Sequence, residues 1–406
     1  MSGRLHAAVW GVGAAQLYAW GVIYYPFSVT GKLIAADVGV SLEAAFFGFS
    51  LLLIMGALTA PLAGRLIDRI GGRPVMTLGC LFGAASLAYA ATVSGPVAFF
   101  ASYVALGLAT SVTLYDASFA SIVQVAGDQG RRAITYVTFL GGFASTVFWP
   151  ITAWLCDEWG WRATYFVFAA GLVLFSAPIY AIVLRPAPTP QKTFAAETGG
   201  EAEPERPLEG RERRFAFTLL AVAVAAHQFV IAALLMHMIR AMQNAGLSQA
   251  QAIMVGMAFG PGQVLGRFGE MLWGARFPAV VTGRVAMAAL PLALFFPISG
   301  SMSFPLAILF SAVCGMSNGM VTIARGTVSL ALFGKVGYGA IVGDLALASL
   351  FARAGGPVAL AYGLEHVGLR ASAGIALVFA LAAVGAMEIL ARLDTRRRQV
   401  KNALVG

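Results

Sequence analysis

The chain has 406 residues, of which 59% are hydrophobic and only 11% charged, with a formal net charge of +9. A soluble domain carries about 25% charged residues, and a water-facing surface cannot be built without them. The composition therefore excludes an ordinary soluble protein and points to a chain that lives in a bilayer, where about 20 apolar residues make one crossing. Cys80, Cys156 and Cys314 are scattered, with no disulfide or metal spacing. No cofactor is expected, and the chain is read as a non-enzyme.

In chain order, twelve hydrophobic segments are predicted at roughly 6–31, 42–64, 75–93, 96–122, 133–155, 163–184, 215–239, 249–273, 280–298, 304–332, 337–361 and 370–391. Backbone polar groups must be satisfied internally in lipid, so each is expected to be a helix. Arg4 before the first block resembles a signal-peptide start, but no clear small-x-small cleavage site follows, and the block is read as a retained span. Between the sixth and seventh segments, residues 185–214 hold five prolines, six glutamates and six Lys/Arg. Such a stretch has too little to bury to offset its ordering entropy. The expected architecture is an all-α membrane protein with two pseudo-symmetric six-helix bundles, 1–184 and 215–406, joined by a flexible cytoplasmic linker.

Basic residues set orientation. With both termini in the cytoplasm, most of the 27 Lys and Arg fall on that side, including Arg65, Arg69, Arg73, Arg131, Arg132, Arg276, Arg284, Lys335 and the tail Arg396, Arg397, Arg398 and Lys401. This asymmetry accounts for the positive charge without a nucleic-acid partner. The expected partner is the lipid bilayer, and the protein is expected to be monomeric, in the cell inner (plasma) membrane. Trp149, Trp154, Trp159 and Trp161 gather at one predicted outer interface, as an aromatic belt does.

After the second segment the chain reads Gly64-Arg-Leu-Ile-Asp68-Arg69-Ile-Gly71-Gly72-Arg73. The glycines suit a tight turn, the arginines hold it in the cytoplasm, and Asp68 can face the positive N-terminal end of a neighbouring helix. The segment resembles the signature G-x-x-x-D-R-x-G-R-R of the major facilitator superfamily, departing at Gly72. With twelve spans and a central linker, the resemblance implies a secondary transporter with alternating access. Gly274 to Arg284 is a degenerate echo without the acid. A narrower resemblance, to the oxalate/formate antiporter and monocarboxylate transporter branch, rests on Tyr18-Ala-Trp20, on Tyr24-Tyr25-Pro26 and on Tyr338-Gly339. It implies a substrate anion held on Arg267 in the eighth span. The branch's lysine in the eleventh span falls near Asp344 and Leu345, with Arg353 further on, which counts against oxalate itself. Drug antiporters carry an Arg where Tyr103 stands.

Ionisable groups inside spans are costly and functional by default. Here they are Asp116, Arg267, Glu270, Arg325, Asp344, Arg353 and Glu388, with His227 and His237. Asp116 and Arg325 occupy corresponding spans and are expected either to latch one side shut or to pair within their own halves, as Arg325 with Asp344. Arg267 and Glu270, three apart, share a helical face; either they neutralise one another or Arg267 grips a carboxylate while Glu270 tunes it or carries a proton. His227 is a proton-coupling candidate or a packed core histidine, and Glu388 is expected to snorkel out. Tyr18, Trp20, Tyr24, Ser317 and Asn318 offer rings and hydrogen-bonding groups to a substrate. No nucleotide-binding loop is present, so a solute or proton gradient is the expected energy source. A mono- or dicarboxylate, moved by proton symport or exchange, is the expected cargo. Drug efflux and a transport-deficient sensor are the alternatives.

Overall fold

The computed structural model describes residues 3–184, 208–299 and 302–405. Most of the expected linker, 185–207, lies outside the described residues. The described chain is helical throughout, and twelve stretches can be followed across local kinks: α1 (Gly3–Ala19 and Phe27–Val38, joined by the π-turn Trp20–Tyr24), α2 (Leu42–Ile70), α3 (Gly72–Thr92), α4 (Pro96–Thr113 and Tyr115–Ala126), α5 (130–159), α6 (161–183), α7 (Gly210–Asn244), α8 (Gln249–Trp273), α9 (Ala279–Ser299), α10 (Phe304–Phe333), α11 (Tyr338–His366) and α12 (Gly368–Val405). By length and apolarity alone, eight helical runs among the described residues can cross a membrane; one of them, Pro96–Val183, contains three of these stretches.

Local sequence explains where the helices begin and divide. The Ser41 hydroxyl accepts from Ala44 N–H at 3.1 Å to start α2, and Ser248 and Gln251 form a reciprocal capping box on α8. α5 passes into α6 at Gly160, whose φ of 77° a side chain would strain. Along α2, Leu58, Leu62 and Leu66 recur every fourth residue and are all exposed. An uninterrupted apolar stripe of this kind suits acyl chains and would be a liability in water.

The chain forms two compact units, Met1–Pro204 with Lys335–Leu347, and Glu205–Gly334 with Ala348–Gly406. α11 thus begins in the first unit and continues in the second. In the second unit, Val230, Ile231, Leu234, Leu290, Leu294, Phe310 and Leu364 belong to one buried cluster. Lipid is as apolar as leucine, so close packing must hold such helices together rather than escape from water. α8 and α10 meet in this way: a Cβ on Gly262 would strike the Ala312 carbonyl, and one on Gly315 the Phe259 carbonyl.

One end of the first unit is riveted by polar contacts. Arg162, at the start of α6, meets Asp37 of α1 at 3.0 Å and donates to the Ala91 carbonyl of α3 at 2.7 Å. Trp161 donates its indole N–H to the same Asp37 oxygen at 3.0 Å, with the guanidinium 4.5 Å from its ring centroid. Trp161 is therefore buried, while Trp149, Trp154 and Trp159 are exposed. In the second unit, Arg240 pairs with Glu365 at 3.1 Å with both side chains about half exposed, 48% and 53%. Exposed ion pairs contribute roughly 0–1 kcal/mol, whereas a charged donor on a backbone carbonyl contributes about 1.5–3 kcal/mol. Arg162→Ala is therefore expected to lower the melting temperature of the purified protein clearly more than Arg240→Ala does. Equal shifts would contradict the rivet.

Candidate functional site

Gly64, Arg65, Asp68 and Arg69 lie in the last two turns of α2, Gly71 makes the turn with φ 88°, and Arg73 opens α3. Gln124 of α4 ties this corner, accepting from Gly72 N–H at 3.0 Å and donating to the Ile67 carbonyl at 2.9 Å. The Asp68 carboxylate accepts two backbone N–H groups from the first turn of α11, Gly339 at 3.0 Å and Ala340 at 2.9 Å. The first amides of a helix have no intrahelical acceptor, and the positive end of the helix dipole favours an anion there. Gly64 makes the approach possible: a Cβ on it would overlap the Gly339 carbonyl oxygen. Beside it, Arg65 pairs with Asp344 at 3.2 Å, and Lys335 pairs with Asp128. These contacts explain why residues 335–347 belong to the first unit. Asp344 sits here as the partner of Arg65, with its side chain 39% exposed.

The aromatic candidates of α1 separate into two groups. Tyr18 donates its hydroxyl to the Phe168 carbonyl at 3.2 Å and packs edge-on to Phe148, so it serves the contact with α5 and α6. Trp20 and Tyr24 lie on the π-turn before Pro26, where Tyr25 N–H reaches back to the Trp20 carbonyl at 3.2 Å. Such π-bulges are frequent at functional sites. The Trp20 ring stands 5.0 Å from Tyr115 and 5.2 Å from Tyr24, and Tyr24 is 5.3 Å from Phe49. The Trp20 indole N–H is buried with no hydrogen-bond partner among the described residues. Asp116 is half-buried in the first turn of the second α4 segment. Just before it, where α4 breaks at Leu114, the Thr113 carbonyl accepts from fully buried Gln16 at 2.6 Å, and Gln16 also meets the Tyr180 hydroxyl at 2.9 Å. Gln16 lies two residues before Tyr18 and is not among the residues expected from the sequence; a lone amide amid apolar residues is the signal that marks it.

In the second unit, His227 of α7 meets Ser317 of α10 at 2.9 Å, and the Ser317 hydroxyl donates to the Ala286 carbonyl of α9 at 2.6 Å. Ser317 has one hydroxyl hydrogen, so His227 Nε2 must be the protonated nitrogen and the donor. Nδ1 then carries the lone pair, buried without a partner among the described residues. His237 instead bonds the Pro357 carbonyl at 2.9 Å. Asn318 is half-buried, Arg353 exposed and Arg325 buried on α10.

Arg267 is 6% exposed, and its Nε has no hydrogen-bond partner. Glu270, 5% exposed, does not pair with it among the described residues. Its carboxyl group lies over Gly274, just past the end of α8, where a Cβ would collide with it. Among the described residues the Arg267–Glu270 ion pair that the spacing allows is not formed, and the Arg267 Nε stays buried without a hydrogen-bond partner.

A model of the Major Facilitator Superfamily matches residues 10–278. The chain belongs to the major facilitator superfamily. It is 26% identical over 207 residues to monocarboxylate transporter 4 of Rattus norvegicus, a match covering 47% of this chain and 42% of that protein. The crystal structure of the human organic anion transporter MFSD10 (TETRAN) shares the fold, with a TM-score of 0.71, 19% identity, and 95% of this chain and 99% of that one covered. The chain is thus a multi-pass, all-helical transporter of the major facilitator fold.

Within this major facilitator chain, Gly64-Arg65-x-x-Asp68 on α2 recurs as Gly266-Arg267-x-x-Glu270 on α8. Gly266 also sits against backbone, the Met316 carbonyl of α10. This repeat is closer than the degenerate echo at Gly274 to Arg284, and it makes Arg267 the counterpart of Arg65. The Asp68 contact has a direct readout in hydrogen exchange. Asp68→Ala should speed exchange of the Gly339 and Ala340 amides while leaving mid-helix amides of α2 protected. Unchanged exchange at Gly339 and Ala340 would show that the carboxylate does not hold them.

Proposed function

We propose that this protein is a secondary active transporter of a small organic anion, most simply a mono- or dicarboxylate, working by alternating access as a proton symporter or an exchanger. The observation that carries the reading is buried Arg267 with no counter-ion among the described residues. Burying an unpaired charge is costly, and inside a membrane protein such a group marks a substrate or ion path. Arginine stays charged and presents a planar fork that matches a carboxylate. The sequence similarity to a monocarboxylate transporter agrees with this chemistry.

In this reading Trp20 and Tyr24 supply apolar surface and an indole donor to the substrate body, with Asn318 and Arg353 as further substrate contacts. His227, Glu270 and Asp116 are the proton-carrying or gating groups, and Arg325 belongs with them. Asp68, with the Gly64–Arg73 turn and the Arg65–Asp344 pair, favours the conformation in which α11 is held. The two six-helix halves, 1–184 and 215–406, are the moving bodies, both termini face the cytoplasm, and the membrane is the inner one.

Efflux of amphipathic drugs is the competing reading, favoured by the cluster of Trp20, Tyr24, Tyr25 and Tyr115. Uptake into proteoliposomes distinguishes the two. The purified protein should accumulate short radiolabelled carboxylates under an inward proton gradient or by exchange. Arg267→Ala should lower that uptake by roughly 10–150-fold, as loss of a charge-assisted hydrogen bond implies, with Arg267→Lys in between. Transport of cationic dyes but not carboxylates, or wild-type carboxylate uptake by folded Arg267→Ala, would overturn the proposal.

A second outcome tests the gate. Asp68→Asn should leave carboxylate affinity within a few-fold of wild type while reducing turnover, because a helix-end charge of about 0.3–2 kcal/mol shifts conformational balance rather than binding. Wild-type turnover in Asp68→Asn would remove the gating role.

A further inference from the structure

Three arginines and one glutamate line a recess where α9 and α12 meet. Arg284 of α9 pairs with Glu388 Oε2 at 2.6 Å, and Arg392, one turn along α12, pairs with Oε1 at 3.3 Å. Arg396 follows one turn later and forms no ion pair among the described residues. These side chains, with Ala391 and Thr395, line a recess of about 330 Å³. Glu388 therefore does more than snorkel: its two oxygens hold Arg284 and Arg392 on either side.

The lining carries three positive charges against one negative. Each guanidinium has five N–H donors, more in sum than the one carboxylate of Glu388, with about four lone-pair sites, can accept from Arg284 and Arg392. A site with surplus positive charge and surplus donors has the chemistry of a phosphate receptor. Its surroundings specify the kind of phosphate. The next turns of the same helices expose apolar side chains, Val285 and Leu292 on α9, and Ile389, Leu381 and Val378 on α12. A soluble anion would find no use for them, whereas an amphiphile with an anionic head and acyl chains matches both parts. α12 also changes character at this level, from a stretch apolar but for Glu388 up to Leu390 to one rich in arginine from Arg392 onward, which places the recess at headgroup depth. Basic recesses between membrane helices are known receptors for anionic headgroups.

We propose that the recess between α9 and α12 binds the headgroup phosphate of an anionic phospholipid, through Arg284, Arg392 and Arg396, with Glu388 spacing the first two. The site is separate from Arg267 and independent of what the protein transports.

The test uses the full-length protein in phosphatidylcholine nanodiscs and in detergent. Adding phosphatidylglycerol should raise the melting temperature, and native mass spectrometry should show it retained. In Arg392→Gln/Arg396→Gln the apparent affinity for phosphatidylglycerol should fall roughly thirtyfold, at about 1 kcal/mol per basic residue. The melting temperature in pure phosphatidylcholine should not change, which establishes that the variant is folded. Arg396→Gln alone, which disturbs no ion pair, should lose part of the effect. Equal stabilisation of wild type and the double variant would overturn the proposal. So would inorganic phosphate stabilising the detergent-solubilised wild type as strongly as the lipid does, since the ligand would then be a free anion.

Discussion

A charge withdrawn from water must be answered by another charge or by a set of hydrogen bonds, and in a membrane protein this rule governs nearly every ionisable group. Half-buried Asp68 is answered by two amides at the start of α11, and nearby the partly exposed Asp344 pairs with Arg65. Asp37 is answered by Arg162 and Trp161. Each of these contacts joins helices distant in sequence, so answering the charge also sets helix against helix. Van der Waals packing at glycine-lined crossings, α2 on the start of α11 and α8 on α10, supplies the rest. Arg267 departs from the pattern, and that departure supports a functional reading over a structural one.

The two units treat one motif differently. On α2, Gly-Arg-x-x-Asp spends its arginine on Asp344 and its acid on the amides of α11. On α8, the arginine of Gly-Arg-x-x-Glu makes no pair with its own acid, which lies over Gly274. A recurring helix motif whose arginine forms no ion pair among the described residues is a natural source of a substrate site, because the helix already presents the group at a fixed depth.

The number and order of helices were legible in the sequence because apolar blocks of membrane-spanning length are a strong signal. The ends were less so. α1 continues to Val38, past Lys32 and Asp37, and α12 runs to Val405 rather than stopping near 391, since a helix need not end where lipid does. The chemistry of the Gly64–Arg73 turn was also legible, down to Asp68 facing a helix N-terminus. What sequence could not supply was direction. Tyr18, two residues from Trp20, looked like its companion, yet it turns to the Phe168 carbonyl. Trp161 looked like its exposed neighbours and is buried on Asp37. The fixed tautomer of His227 depends on Ser317 and Ala286, far away in the chain. A single sequence gives composition and period, but not which side of a helix meets which neighbour.

The central claim is that Arg267 recognises negative charge, and it is tested most directly by comparing a carboxylate with its neutral amide, which has nearly the same shape. Binding of both would be measured by calorimetry on wild type and on Arg267→Gln, with circular dichroism confirming intact helices. The account predicts that wild type prefers the acid by roughly tenfold or more, the worth of a charge-assisted hydrogen bond, and that Arg267→Gln binds the two about equally. An undiminished preference for the acid in Arg267→Gln would contradict it.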